Sequence, residues 1–152
     1  MAPYEILTFF QELYLDQTGK DDLVETFIID CFLPYLKGLH ESMMEMDMDK
    51  FERFAFKTRD SFSLVVSEEM TRLVYDQYSE AYSKNNEKVI GIYLRFLQKC
   101  VILKKELEDY VKRPIVGVDI EAQISETKKK FGIIEAEKEN KCNASCSGCN
   151  IF

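Results

Sequence analysis

Apolar residues recur every three or four positions along most of this 152-residue chain, the spacing that gathers them on one face of a helix. After Pro3, the positions Ile6, Leu7, Phe10, Leu13 and Tyr14 predict a short leading helix, broken at "DQTGK". Asp21 or Asp22 is placed to cap a second helix carrying Val24, Phe27, Ile28, Cys31, Phe32, Tyr35, Leu39 and Met43. Pro34 falls inside it and predicts a kink, because proline removes one helical hydrogen bond and crowds the preceding turn. Asp49 can cap a third helix with Phe51, Phe54, Ala55, Thr58 and Phe62 on its apolar face. A fourth begins at Ser67, with Glu68 and Glu69 where the helix dipole favours acids, and presents Met70, Leu73, Val74, Tyr78 and Ala81. Beyond the turn "SKNNEK", the last helix steps through Val89, Ile92, Phe96, Cys100, Leu103, Leu107 and Tyr110, and Pro114 ends it. One short leading helix and four longer ones on short connections predict an all-α fold, an antiparallel four-helix bundle over residues 1–113. From Ile115 the stripe dissolves. Residues 114–141 read as a short helix or strap that passes into a linker, and 142–152 form a cysteine-rich tail.

Composition supports helix, since only 6 Gly and 3 Pro are present, few for a turn-rich β fold. A net charge of −7, with basic residues bunched only at Lys128 to Lys130, argues against a nucleic-acid surface. No apolar run reaches the ~18 residues of a membrane span. The first residues carry no basic region ahead of their apolar stretch, so they do not read as a secretory signal, and a reducing, cytoplasmic setting is expected. Cys31 and Cys100 then read as core residues.

The usual catalytic constellations are missing from the sequence. It has one histidine, His40, which reads as an exposed surface residue, and no Gly-rich phosphate loop, nucleophile elbow or His-Glu-x-x-His. Glu68 and Glu69 read as solvated charges of a helix start. No enzyme activity and no cofactor are expected. The stretch "FERFAFKTRDSFSLVVSEEM", residues 51–70, does stand out. In arrangement it resembles the third helix of histidine phosphotransfer (HPt) domains, whose pattern runs Ala-His-x-Leu-Lys-Gly-Ser-Ser. Laid on that pattern without gaps, Ala55 takes the Ala place, Phe56 the phosphorylatable His, Thr58 the Leu, Arg59 the Lys, Asp60 the Gly and Ser61 the first Ser. The resemblance implies a four-helix bundle that meets a response-regulator receiver domain. A phenyl ring offers no nucleophile for phosphoryl transfer, however, and Asp60 puts a carboxylate where phosphate would approach. The implied protein is a pseudo-HPt that binds a protein partner through Phe56, Arg59, Asp60 and Ser61. Spacing alone does not sort Phe51, Phe54, Phe56 and Phe62 between core and surface; the alignment turns Phe56 outward.

The tail "KCNASCSGCNIF" admits three readings. Cys149-Asn150-Ile151-Phe152 fits a C-a-a-X prenylation signal, with Cys142 and Cys146 placed to take palmitate as the second signal that stable anchoring needs. This reading puts the protein on the cytoplasmic face of a membrane. The alternative is a metal or redox site of Cys142, Cys146 and Cys149, for which the sequence shows no fourth ligand. In the third reading the cysteines are incidental.

Overall fold

The computed structural model describes residues 4–9 and 15–133. Those residues form an all-helical protein: α1 (Gln17–Phe27), α2 (Leu33–Glu45), α3 (Met48–Phe62), α4 (Glu68–Tyr82), α5 (Asn86–Val111) and α6 (Ile120–Phe131). Five helices start at a side chain that accepts one of the backbone N–H groups left unpaired in a first turn. Asp16, Asp47, Ser67, Asn85 and Asp119 do so for α1, α3, α4, α5 and α6. Ser67 was legible as a cap, but two others lie upstream of the expected positions. Asp16 receives the Gly19 N–H at 2.8 Å, so "DQTGK" is the first turn of a helix and not a break. Asp47 caps α3 in place of Asp49, because α2 ends at Met46 in the left-handed conformation (φ 56°), leaving Asp47 as the first residue able to cap.

Pro34 acts as its chemistry requires, one turn early. Having no N–H, it leaves the α-ladder without a donor, and its ring crowds the turn before it. The chain answers with a widened π-turn over Ile28–Phe32, in which the Leu33 N–H reaches back to the Ile28 carbonyl. α1 and α2 thus run on as one interrupted helix.

The expected leading helix is not formed by residues 4–9, the part of it that is described; Phe10, Leu13 and Tyr14 lie outside the described residues. This segment is an extended strap. Its backbone finds donors and acceptors elsewhere, which removes the reason to coil. Leu7 bridges Val66, the Thr8 N–H donates to the Val65 carbonyl (2.8 Å) and the Ser67 N–H to that of Ile6 (2.7 Å). On the other side, the Glu106 carboxylate of α5 accepts from the N–H groups of Glu5, Ile6 and Leu7 at 2.8, 2.9 and 2.7 Å. Tyr4 donates to Asp109 at 2.6 Å, and that bond, with some burial, pushes its phenol up to about 12. Ile6 and Leu7 are both buried, a pairing an α-helix face would not require but a strap between two elements does.

Consecutive helices pack on one another, α2 on α3, α3 on α4 and α4 on α5, while α5 also receives α1 and α6. Phe27, Phe32, Phe62 and Phe96 form the centre of the core, with Phe27 meeting Phe62 edge-on at 4.9 Å. Gly38 of α2 lies directly against the Phe54 ring of α3, where a Cβ would not fit. The segment after Pro114 is more ordered than its weak stripe suggests: Ile115 and Ile120 are buried, and α6 docks on α5 and α2. Lys128, Lys129 and Lys130 sit in its last turn, where the helix dipole favours cations. No described helix is long and apolar enough to cross a membrane.

Candidate functional site

The third helix does present its aromatic outward. On α3, Ala55 and Thr58 are buried, and Thr58 turns its hydroxyl back to the Phe54 carbonyl (2.7 Å). One position on from Ala55, Phe56 leaves the core and is 43% exposed. It meets Tyr78 of α4 edge-on at 5.4 Å, and Tyr78 in turn contacts Tyr82 at 6.1 Å. Tyr75 and Tyr82 are 49% and 65% exposed.

Arg59 sits at the centre of these rings. Its guanidinium carbon lies 4.6 Å from the centroid of Phe56, 4.9 Å from Tyr78 and 5.4 Å from Tyr75. Each such contact contributes about 0.5–2 kcal/mol depending on how dry it is, so three fix the guanidinium plane. Its Nε donates to the Asp60 carboxylate at 3.1 Å, and Nη2 lies 3.0 Å from the same oxygen. A cavity of about 280 Å³ opens beside it, lined by Arg59, Tyr75, Tyr78, Ser79 and Tyr82. Phe56, Arg59 and Asp60 are therefore brought together. Ser61 is half-buried, and its carbonyl accepts from Leu64 in the turn toward α4. Tyr75 and Tyr82 escaped the sequence reading, although "YDQYSEAY" spaces three tyrosines three and four apart. Rings, phenols and a paired guanidinium make a surface suited to holding a ligand, with no activated nucleophile among them.

His40 corrects an expectation. It is not a surface residue, because α6 covers its side of α2 and leaves its side chain 12% exposed. Its Nδ1 lies 3.0 Å from the Tyr93 hydroxyl of α5 and its Nε2 2.7 Å from the Glu126 carboxylate of α6. With neutral imidazole, the phenol donates to Nδ1 and Nε2–H donates to the carboxylate, satisfying all three groups. Tyr93 is completely buried, and that burial holds its phenol well above the usual range. This chain of groups joins α2, α5 and α6. Cys100 is also fully buried, which pushes its thiol far above the reactive range, while Cys31 is half-buried.

Among the described residues, no group of three or more His, Cys, Asp or Glu side chains is placed to hold a metal. Cys142, Cys146 and Cys149 lie outside the described residues. No protein-family profile, no curated protein and no solved structure matches the chain. The resemblance to HPt domains therefore rests on the sequence pattern alone.

Proposed function

We propose that this chain is a non-catalytic signalling adaptor, an HPt-like antiparallel four-helix bundle that binds a protein partner through the α3–α4 face. The observation that carries the reading is the exposed aromatic seat around Arg59, in which Phe56, Tyr75 and Tyr82 stay exposed while Phe27, Phe32, Phe62 and Phe96 fill the core. Exposed tyrosine and phenylalanine clustered about an arginine match the composition of interface anchors, which are enriched in aromatics and Arg. A receiver-like domain is the partner that the α3 pattern suggests, met without phosphoryl transfer because Phe56 stands in the histidine's place. A phosphorylated receiver domain incubated with the protein is expected to leave it unlabelled; acid-labile phosphate on His40 would refute the non-catalytic reading.

The binding itself is tested in the native cell by a photo-crosslinking residue at Tyr82, with Val116, 77% exposed on the opposite connection, as the control position. A discrete crosslinked protein at Tyr82, lost when Phe56→Asp is added, is expected. Equal crosslinking from both positions would reject the site. The sequence "CNIF" supports a second part of the proposal, a lipid on Cys149 with acyl chains on Cys142 and Cys146 that holds the adaptor at a membrane. Intact mass of the protein from its native cells checks it: added prenyl mass is expected, and the mass of the bare polypeptide contradicts it.

A further inference from the structure

We infer that the partner of the α3–α4 face presents an acidic protein segment, carboxylates flanking an apolar side chain. The inference rests on the protein-binding reading above and adds the chemistry of what is bound. It comes from where the cations of this acidic chain are left. Several cations are neutralised within the fold: Lys50 by Glu41 and Glu45, Arg72 by Glu68, Lys84 by Asp49 and Glu52, Lys99 by Glu5 and Glu69, and Arg113 by Glu25. Arg53 and Lys57 of α3 are exposed, with no carboxylate at ion-pair distance among the described residues; Lys57 lies instead over the Phe54 ring at 5.4 Å.

These two residues bracket the aromatic seat. Positions 53, 56, 57 and 60 are spaced to share one outward stripe of α3, and all four are exposed. The stripe thus carries Phe56 between two exposed cations, of which Arg53 also acts on the Asp49 carboxylate one turn back. Asp60, the carboxylate that the sequence alone sets against an anionic partner, has its charge offset by Arg59 at 3.0 Å. Arg59 also keeps further N–H donors beyond the one given to Asp60, and it lines the adjoining cavity. On a chain of net charge −7, Arg53 and Lys57 give this stripe an electrostatic reason to attract acidic surfaces. Phe56 and the tyrosines then require an apolar side chain beside the carboxylates. The patch is small and carries no extended basic stripe, which favours protein carboxylates over nucleic acid.

The test is a titration of the full ¹⁵N-labelled chain with three capped peptides, a central leucine flanked by glutamates, by glutamines or by lysines. The glutamate peptide is expected to shift the amides of Arg53, Phe56, Lys57, Arg59, Tyr75 and Tyr78, and to bind more weakly as salt rises. Arg53→Gln with Lys57→Gln, two exposed changes that leave the core alone, should weaken it about tenfold, because each exposed pair contributes up to ~1 kcal/mol. Equal binding of the glutamine or lysine peptide, shifts elsewhere, or no shifts at all would overturn the inference. So would a phosphatidylserine vesicle or a single-stranded oligonucleotide that moves the same amides at lower concentration than the peptide. A specific crosslink at Tyr82 without preference for the glutamate peptide keeps the protein-binding reading and rejects only the acidic partner.

Discussion

Removing the Glu106 carboxylate should free the N-terminal strap and loosen the connection that sets α3 against α4. Glu106 accepts three successive backbone N–H groups, from Glu5, Ile6 and Leu7. The Glu5 N–H is exposed and can turn to water, so little is lost there. The other two are partly buried, and bonds to a charged acceptor contribute about 1.5 kcal/mol each at the low end of their range. Glu106→Ala is therefore expected to cost about 3 kcal/mol, and Glu106→Gln about 1 kcal/mol because the amide oxygen still accepts. Leu7→Ala, at a side chain only 2% exposed, should cost ~2–4 kcal/mol. If the strap leaves as a unit, the two losses overlap, and the double variant should cost at least ~1 kcal/mol less than their sum. Urea unfolding followed by circular dichroism measures each value, provided the m-value stays constant. Amide exchange supplies the local readout: Thr8 and Ser67, whose N–H groups pair with Val65 and Ile6 across the strap, should exchange faster in Glu106→Ala. A loss under ~0.5 kcal/mol with unchanged exchange at Ser67 refutes the clasp.

Gly38→Ala should cost about 1–3 kcal/mol by forcing the Phe54 ring aside, and Phe54→Leu in the same chain should recover part of the loss; calorimetry of the three variants checks both. Tyr93→Phe leaves His40 without one partner and should cost about 1 kcal/mol, with faster amide exchange at Thr127 reporting the loosened α6. The Glu108 carboxyl is held below its ordinary value of 4.5, first by the Ile115 N–H; burial, next in size, opposes this, and Lys104 adds to the lowering. A depressed carboxylate stabilises the fold above its unfolded pKa and loses that contribution as pH falls through the folded one. Stability should thus decline as pH drops below about 4.5, less steeply in Glu108→Gln; equal slopes contradict the assignment.

The helices were legible where an apolar stripe met a capping residue, as at Ser67 and along Val89, Ile92 and Phe96. The leading segment misled because Ile6 and Leu7 also suit a helix, and nothing local reveals that Glu106, some hundred positions later, would take their N–H groups. Periodicity alone also missed Gln77. The fourth-helix core runs Met70, Val74, Gln77 and Ala81, so a polar residue occupies a place that apolar counting skips. Its amide is buried without a hydrogen-bond partner among the described groups. His40 read as exposed because the helix that covers it, α6, carries too few apolar residues to announce itself. Of the proposed face, the ungapped HPt pattern singled out Phe56, Arg59, Asp60 and Ser61, of which Ser61 lies half-buried. It could not find Tyr75 and Tyr82, since cation–π contact between α3 and α4 is set by packing.

The most direct test of a binding face is to separate its residues from stability. Phe56→Ala and Tyr82→Ala remove exposed rings, so each should change the unfolding free energy by no more than ~1 kcal/mol. Measured side by side with those values, crosslink yield at the face in the native cell (probe at Tyr82 for Phe56→Ala, at Ser79 for Tyr82→Ala) is expected to fall about tenfold or more, as for an interface anchor. Yield that stays at the wild-type level in both variants, while stability falls by several kcal/mol, would show that these rings serve the fold and would contradict the account.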